Sequence, residues 1–489
     1  SSCSIGLENT SCWQVFWANA SQMWACYSDI RGMRSIDMGE KWSFNYTGHT
    51  ANTSYRITKL ANGTLLAGTS NIHDIYQSTY LTDARLDPTD ANGKIIYSTN
   101  NGQSWQLLKQ FSHPVFWLVT DPNNANRAYA SVIHYSSNTG IGGIYRCDNV
   151  NSLASSTWTL LPNPPRTEKH PACIVVLNDG KMVCTYSGRR NAAGTFTASS
   201  GVFLYDPVTN TFTDKSHPGM HYWTKDIVID PNDPAQNTWY VCVFSGWGGA
   251  PNGLGGLYKT TNRGTSWVKL TGSLIDRVTS ITFNPLQTAE VYLTTEGQGL
   301  WKCTNILAAS PVFEIVDAYP FQQPERVFFN PYDASEMWVT SFGNGMKKTI
   351  LPNAACGVVS QFTDYGPGSL PYAIDCAAPG DTITFSAQMT ADTIELNNHL
   401  YLDKSITLSN PHAQKVKIRT QSYALMNIDR QASVVLDNLE LIPGSTGLSI
   451  RNHGQLVMKN TTSSHAQATG LVQNAKGSTL VLEGIVEVK

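Results

Sequence analysis

Charged residues are scarce in this sequence, and their signs nearly balance. Lys, Arg, Asp and Glu make up 14% of the 489 residues, the formal net charge is -2, and no block of basic residues occurs. Because nucleic-acid backbones are bound through concentrated Lys and Arg, the composition argues against a nucleic-acid partner. No apolar run reaches the roughly 18 residues of a membrane-spanning helix, so we expect no membrane span.

Patterns typical of metal and cofactor sites are also missing. The eleven His residues are scattered, and no Cys-x-x-Cys pair occurs. His217 and His221 have a helical i, i+4 spacing, but a Pro-Gly pair separates them. The Gly-rich segment 245–256 lacks the strand-then-helix setting of a phosphate-binding loop. We therefore expect neither a metal nor a cofactor.

Gly, Ser, Thr, Asn and Trp are plentiful, which favours many short strands joined by tight turns. The sequence starts at Ser1 without a charged and apolar leader, which we interpret as a mature secreted protein whose signal peptide has been removed. Six N-x-S/T sequons fit that interpretation if the host glycosylates them; they begin at Asn9, Asn19, Asn45, Asn52, Asn62 and Asn460.

Ten cysteines are many for a cytosolic protein. Cys173 and Cys184 flank the turn 178–180, and Cys12 and Cys26 flank Asn19, so hairpins would place each pair on facing strands. Cys356 and Cys376 form a third candidate pair. Disulfides at these three places predict an oxidising, extracellular setting; the alternative is that the cysteines are buried free thiols.

One short motif, S/T-x-D/N-x-G-x-x-W, occurs three times. In such a turn the Asp or Asn side chain binds backbone amides, Gly takes a positive φ, and Trp packs back between sheets. We expect a structural role for all nine residues, which are Asp37, Gly39, Trp42, Asn100, Gly102, Trp105, Asn262, Gly264 and Trp267.

A longer repeat surrounds this motif: an apolar strand, Asp-Pro or Asn-Pro, a strand rich in Tyr, Val and Thr, a Gly-rich segment and an aromatic strand. Each unit supplies about four strands, as a propeller blade requires. The repeat predicts seven blades within residues 1–351, with the N-terminus adding a strand to the short seventh one. The predicted blades are 13–46, 54–108, 115–161, 171–213, 222–270, 277–315 and 325–350.

The short motif is the Asp-box, and the chain resembles the Asp-box β-propellers: sialidases, the xyloglucanase family and the sortilin-type receptors. Residues 366–385, which contain Gly368-Ser-Leu370 and Gly380-Asp381-Thr-Ile383, resemble the segment that begins many bacterial surface β-helices. Strand-like triplets then recur at 434–436, 456–458 and 480–482. We thus predict an all-β chain, with a right-handed parallel β-helix over 352–489 that lacks a polar cap at its C-terminal end.

Loops that follow the second strand of each blade gather on one face of a propeller. Acids, imidazoles, guanidinium groups and an indole in these loops suit a sugar ligand, because indole stacks on sugar rings and polar groups bind hydroxyls. The predicted ligand-binding residues, beside the acidic ones named below, are His73, His134, Tyr135, Arg189, Arg190, Trp247 and Asn344.

Residues 26–34 resemble the T-D-I-G-G-A-Y-R segment of the xyloglucanase family. The resemblance implies that Asp29 is the general base of an inverting hydrolysis. Such chemistry needs a second, protonated carboxyl across a gap of about 6.5–9.5 Å. The family takes that acid from a second propeller, which this chain lacks, so Glu296 and Asp74 are the candidate acids.

Residues 55–58 with 63–67 resemble the F-R-I-P opening of sialidases, in which the Arg, here Arg56, begins a triad that grips a sugar carboxylate. Arg189, Arg263 or Arg326 would complete the triad. A polysaccharide lyase is a further alternative, with His73 or His134 as base and Arg189 neutralising a uronate.

Two functions remain open. One is a non-catalytic, secreted or cell-surface protein that binds a polysaccharide or surface glycan, adhesin-like and exported by a gliding-bacterium type of secretion system, with another surface or secretion-system protein as a further partner. The other is a polysaccharide-degrading glycoside hydrolase. The missing second propeller and the appended β-helix favour binding, and the Asp29 segment favours hydrolysis.

Overall fold

The computed structural model describes residues 10–72, 92–133, 141–188, 197–221, 224–244, 252–351, 357–362, 368–390, 392–420, 422, 424–442, 448–463 and 472–484. The chain forms two compact units, one of Ser1–Pro331 with Glu336–Thr349 and one of Tyr332–Ser335 with Ile350–Lys489. The first is a seven-bladed β-propeller and the second a parallel β-solenoid. Within the described residues, no helix has the length and apolar character needed to cross a membrane.

Every blade is a sheet built from strands that follow one another along the chain, and the strands of the first six blades pair antiparallel. The first four blades contain β1 (Cys12–Trp17), β2 (Met23–Tyr27) and β3 (Gly32–Ser35); β4 (Thr53–Lys59), β5 (Leu65–Ser70), β6 (Lys94–Ser98) and β7 (Gln106–Gln110); β8 (Val115–Asp121), β9 (Asn124–Val132), β10 (Gly143–Cys147) and β11 (Trp158–Leu160); and β12 (Pro171–Val176), β13 (Met182–Tyr186), β14 (Gly201–Asp206) and β15 (Thr211–Asp214).

The last three blades follow the same plan, and the seventh has three described strands. They contain β16 (Thr224–Ile229), β17 (Trp239–Val243), β18 (Gly256–Thr260) and β19 (Val268–Lys269); β20 (Val278–Asn284), β21 (Gln287–Thr295), β22 (Leu300–Cys303) and β23 (Glu314–Ile315); and β24 (Pro324–Asn330), β25 (Asp333–Ser341) and β26 (Met346–Ile350). Short 3₁₀ helices occur at Val150–Ser155 and Pro218–Met220.

The seventh blade meets the start of the chain at one backbone bridge. Ser11 pairs with Gly345, and the amide of Gly345 donates to the carbonyl of Thr10 at 2.9 Å. The extra N-terminal strand that we predicted for this blade is not found among the described residues, which begin at Thr10.

Side chains between adjacent blades form the propeller core. Between blades one and two, buried Trp24 packs edge-to-face on Trp105, with 5.2 Å between the ring centroids. Between blades seven and one, Trp42 packs on Trp338 in the same way at 5.9 Å. Aromatic pairs of this geometry stabilise beyond the area that they bury, so the Trp residues of the repeat join the blades.

The three segments that carry the S/T-x-D/N-x-G-x-x-W motif form one repeated turn. In the first, the Ser35 hydroxyl donates to the Asp37 carboxylate at 2.8 Å and accepts the Gly39 amide at 2.9 Å, while Asp37 accepts the Lys41 amide at 2.9 Å. The turns at Asn100 and Asn262 repeat these bonds within 0.1 Å. Each Gly has φ between 77° and 85°, so the turn residues serve the turn.

The two predicted disulfides of the propeller are wrong, since all four cysteines are buried free thiols. A register shift in β12 pairs Ile174, not Cys173, with Cys184. The Cys173 thiol therefore faces Ile227 in the core between blades four and five, and the Cys184 thiol faces Phe203 on the other side of the sheet. One residue of slip in a strand moves a side chain to the opposite face.

A register shift in β1 likewise separates Cys12 from Cys26. Cys26 pairs with Gln14 across β1 and β2, and Cys12 pairs with Tyr27. Cys12 lies in the core between blades seven and one, whereas Cys26 lies in the core between blades one and two. The third candidate pair stays a prediction: Cys376 is disulfide-bonded, but Cys356 lies outside the described residues.

The second unit winds as a parallel solenoid with three sheets, in the orders β27-β28-β31-β34-β37-β40, β29-β32-β35-β38 and β30-β33-β36-β39. A helix, α1 (Leu370–Cys376), and a 3₁₀ helix, Ala387–Thr390, accompany them. The strands are β27 (Val358–Val359), β28 (Thr382–Phe385), β29 (Thr393–Leu396), β30 (Leu400–Leu402), β31 (Ile406–Ser409), β32 (Val416–Thr420), β33 (Ala424–Ile428), β34 (Ser433–Asp437), β35 (Leu439–Ile442), β36 (Leu448–Asn452), β37 (Gln455–Lys459), β38 (Thr462–Ser463), β39 (Val472–Asn474) and β40 (Thr479–Glu483).

The predicted triplets stack in register from coil to coil. Val434 pairs with Leu456, which pairs with Leu480. Asn438, which follows the first triplet, has φ 58° and donates to the Asn410 carbonyl at 3.1 Å, while Asn410 donates to the Asn438 carbonyl at 3.1 Å. These reciprocal bonds give two backbone carbonyls a partner where these two neighbouring coils turn.

We expect Gly102→Ala to destabilise the propeller by about 2–3 kcal/mol, because Ala is strained at positive φ and its Cβ would overlap the Trp24 indole. Gly180→Ala is the matched control, since Gly180 has the same φ of 81° and nothing near its Cβ position. Denaturant unfolding of the full chain measures both. Equal losses for the two variants would contradict the packing argument.

Alkylation of the intact protein checks the free thiols. In the folded protein, Cys26 should resist iodoacetamide, because burial excludes the reagent and raises the pKa of the thiol to about 12. After denaturation without reductant, peptide mass spectrometry should find Cys12, Cys26, Cys173 and Cys184 all alkylated. A peptide pair still joined through two of these cysteines would refute the assignment.

Candidate functional site

The predicted loop face lies where the inner strands begin and the second strands end. Three of its ten predicted residues, Asp29, Glu296 and Asn344, are described by the structure. Seven lie outside the described residues and stay predictions, namely His73, Asp74, His134, Tyr135, Arg189, Arg190 and Trp247.

Asp29 is exposed at the turn between β2 and β3. Its backbone has φ 66°, and its carboxylate accepts a hydrogen bond from the Asn52 side chain at 3.1 Å. Non-glycine residues in this conformation are uncommon and occur at functional sites as well as at turns. The carboxylate is thus oriented by blade two while remaining accessible to solvent.

Glu296 sits at the corresponding turn of blade six and is 9% exposed. Its carboxylate forms an ion pair with the Arg277 guanidinium at 3.3 Å, and its amide donates to the Arg277 carbonyl at 3.0 Å. Asn344, in blade seven, donates its amide to the Ser341 hydroxyl at 3.1 Å. Blade seven lies between the blades of Asp29 and Glu296, and the two carboxylates have different partners.

The arginines of the sialidase-like hypothesis lie in different parts of the propeller. Arg263 belongs to the motif turn of residues 260–267, where its guanidinium binds the Asp179 carboxylate at 2.5 Å and the Ala235 carbonyl at 3.1 Å. Arg56 and Arg326 lie instead on inner strands, in the central channel of the ring. Arg263 therefore does not join Arg56 in one site.

A β-bulge near the start of the inner strand sets the shape of this channel. In each of the first six blades, the register shifts by one residue after the first or second position. A bulge changes the direction of the side chains around it. The residues at this level, which we call the waist of the channel, are Gln14, Arg56, Trp117, Cys173, Asp226, Ser280 and, in blade seven, Arg326, and all of them except Ser280 line the cavity at the ring centre.

Two reciprocal ion pairs join blades five and seven at and next to the waist. The Arg326 guanidinium lies 2.9 Å from the Asp226 carboxylate, and the Lys225 ammonium lies 2.8 and 3.0 Å from the two Glu325 oxygens. On β16 the basic residue precedes the acidic one, and on β24 the acidic residue precedes the basic one. Residues at the same position on the two strands therefore have opposite charges, and the two ion pairs form side by side. Asp226 holds the pKa of Arg326 above its ordinary value despite the burial of that group.

Arg56 and Arg326 converge on one indole. The Arg56 guanidinium carbon lies 3.9 Å from the Trp117 ring centroid, and that of Arg326 lies 5.4 Å from it. Cation–π contacts of this length stabilise a guanidinium in a low-dielectric setting. Burial, followed by the nearby charge of Arg326, lowers the pKa of Arg56 to about 10, which still leaves it protonated at neutral pH.

A cavity of about 650 Å³ extends from the waist towards the turns that join the first and second strands, reaching Pro122 and Gln236. Its walls below the waist are largely apolar; they include Phe16, Ile57, Leu118, Val119, Ile174, Val175, Val176, Ile227, Val228 and Ile229. On the other side of the waist, Trp13, Tyr55 and Phe116 pack against one another with centroids 5.3–5.8 Å apart.

Sequence reasoning singled out Arg56 and Arg326 but missed Trp117 and Asp226. A signal was present in the repeat: each waist residue directly precedes the apolar run of a first strand. Aligning the seven repeats at that position would have placed all seven side chains at one level. The reversed pairs Lys225-Asp226 and Glu325-Arg326 would then have been visible as complementary charges.

No known protein family matches the chain, and no curated protein sequence matches it. Among solved structures, a GH74 enzyme from Niastella koreensis is 16% identical over 70% of this chain and 59% of its own length, with a TM-score of 0.43. YCF48 from Cyanidioschyzon merolae is 12% identical over 70% of this chain and 96% of its own, with a TM-score of 0.47.

A GH74 xyloglucanase from Xanthomonas campestris is 14% identical over 68% of this chain and 51% of its own, with a TM-score of 0.44. The chain spans about three fifths of the length of the Niastella koreensis enzyme. At these identities the similarity concerns the propeller fold alone, and it does not extend to an activity.

We expect Asp226→Asn to lower the free energy of unfolding by about 3 kcal/mol, because it leaves the Arg326 guanidinium buried without its counter-charge. The Asp226 side chain is 1% exposed and that of Arg326 is 14% exposed. Glu395→Gln is the control, since it breaks a half-exposed ion pair with Arg419 and should change stability by less than about 1 kcal/mol. Equal effects in denaturant titrations would show that the buried pair is not stabilising.

Proposed function

We propose that the protein is a secreted or cell-surface, non-catalytic binding protein whose propeller holds an extracellular glycan on the face that carries Asp29. One observation carries the choice of binding over catalysis: the Glu296 carboxylate is ion-paired with Arg277 at 3.3 Å. Inverting hydrolysis needs a second carboxyl that faces the base across the substrate, whereas the Glu296 side chain is nearly buried and is engaged by Arg277.

The exposed face supports a polar ligand. Asp29 presents a carboxylate that Asn52 orients and that solvent reaches, and an oriented carboxylate accepts hydrogen bonds from sugar hydroxyls. The predicted His, Arg, Tyr and Trp residues of the neighbouring loops would add the stacking and polar contacts of a sugar site. Secretion through a gliding-bacterium type of system, with a further surface protein as partner, belongs to the same proposal.

A glycoside hydrolase is the second candidate, because Asp29 itself has the exposure and the left-handed backbone seen at catalytic positions. In that case Asp29 is the base, and Asp74, outside the described residues, replaces Glu296 as the acid.

A polysaccharide panel separates the two functions. Xyloglucan, mixed-linkage glucan, mannan and uronate-rich polymers are tested for binding by calorimetry, for new reducing ends, and for the absorbance of unsaturated lyase products. We expect binding of at least one polymer without products, and a loss of about tenfold in affinity for Asp29→Asn, as for one hydrogen bond to a charged group. Asp403→Asn, an exposed carboxylate of the solenoid, is the control.

Products that appear with the wild type and disappear in Asp29→Asn would replace this proposal with a hydrolase. Failure to bind any polymer, with the protein folded by circular dichroism, would remove the glycan as ligand.

A further inference from the structure

The waist of the channel carries one positive charge more than its carboxylates balance. Lys225 and Glu325 neutralise each other, and so do Arg326 and Asp226. Among the residues that the structure describes, Arg56 has no ion pair or side-chain hydrogen bond, and its contact is the face of Trp117. The Asp226 charge also acts on Arg56, but that carboxylate is already paired with Arg326. An enclosed cation without an ion pair of its own is costly, so this position favours an anion from outside the chain.

The position of the Arg56 guanidinium over the Trp117 ring, 3.9 Å from its centroid, leaves Arg56 available for such an anion. A guanidinium that lies on an indole face keeps its N–H groups in the plane parallel to the ring, where they can bind a carboxylate through two parallel hydrogen bonds. Arg326 adds a second positive group over the same ring, 5.4 Å from its centroid. Gln14 is held away from this role, because its amide group bonds both the amide and the carbonyl of Ile57.

The space beside the waist has the size of a small-molecule site. Its volume of about 650 Å³ lies within the ~300–1,000 Å³ of typical ligand pockets. The aromatic cluster of Trp13, Tyr55 and Phe116 lies on the side of the waist opposite the cavity. A ligand would therefore place its anionic end at Arg56 and its body along the β-branched walls.

We propose that the central channel is a binding site for an apolar carboxylate, with the carboxylate on Arg56 and Arg326, the apolar body against Phe16, Val119, Val175 and Val228, and access from the turns near Pro122 and Gln236. This site is separate from the glycan face, and it needs no glycan for occupancy.

The chemistry of the walls selects this class of ligand over others. A sugar would lose the hydration of its hydroxyl groups against Val and Ile side chains without regaining hydrogen bonds. A phosphate dianion would exceed the single unbalanced charge and be repelled by Asp226, whose carboxylate is 1% exposed at the same level. A ligand with one carboxylate and an apolar body balances the single positive charge and packs against the apolar walls.

Free carboxylic acids and the carboxy-terminal residue of a polypeptide share this chemistry. Calorimetry and thermal shift of the full chain therefore use two sets of probes: octanoate beside octanamide, and a short peptide ending in Leu-Leu beside its amidated form. We expect the carboxylate of at least one set to bind about tenfold or more tightly than its neutral twin. Binding confined to one set assigns the source.

Variants connect that binding to the waist. Arg56→Gln should reduce carboxylate affinity at least about tenfold, whereas Arg419→Gln, on the solenoid surface, should leave it unchanged. Arg56→Met gives a second readout that does not need a ligand: without carboxylate it should melt at a higher temperature than the wild type, because an unbalanced cation has been removed, and added carboxylate should not shift its melting temperature.

Three results would each overturn the inference: equal binding of carboxylate and amide, wild-type affinity in Arg56→Gln, or no binding of either set by a folded protein. None of them bears on the polysaccharide panel, which probes the opposite face.

Discussion

The propeller depends on one constraint: seven inner strands must converge on an axis without leaving that axis either empty or overfilled. The bulge near the start of the inner strand in each of the first six blades helps to fill the axis, because one extra residue redirects side chains at the same level in successive blades. The chemical nature of these side chains then determines the polarity and charge of the ring centre. Arg56, Trp117, Asp226 and Arg326 make it polar and charged, while the residues two positions later make it apolar.

Two cysteines illustrate how the blade turn tolerates chemical change. Cys147 and Cys303 end the third strands of blades three and six, where blades one, two and five carry the Ser or Thr of the repeated turn. Their thiols lie 3.4 and 3.2 Å from the side-chain oxygens of Asn149 and Asn305, and these asparagines accept the amides of Thr157 and Val312. A thiol thus replaces the hydroxyl in a lengthened version of the same turn, which explains two cysteines without invoking disulfides.

The sequence allowed the architecture to be predicted because its repeats are local. The succession of blades and the in-register triplets Val434, Leu456 and Leu480 follow from residues close together in the chain. Cysteine pairing was not predictable in this way, since a single bulge in β12 reverses the side to which Cys173 points. The sequence of a single hairpin does not show where its bulge lies, and the positions that face each other in the hairpin depend on that bulge.

The candidate site was harder to predict for a related reason. Asp29 was identified through a local segment, but Glu296 was chosen as its partner from position in the repeat, and the Arg277 ion pair is formed by a residue nineteen positions earlier in the chain. Asp226 and Arg326 are a hundred residues apart. Contacts across a ring are set by which blades face each other, and that is known only once the ring closes.

The reciprocal ion pairs also bear on how this propeller can evolve. Propellers gain and lose blades by duplication and deletion of a repeat, and most blade contacts tolerate this because each blade touches only its neighbours. Lys225 with Glu325 and Asp226 with Arg326 reach past blade six, where Thr279 and Ser280 are small enough to leave room. Deletion of blade six, or insertion of another blade beside it, would separate these four charges from their present partners, so the pairs oppose a change of blade number at this place in the ring.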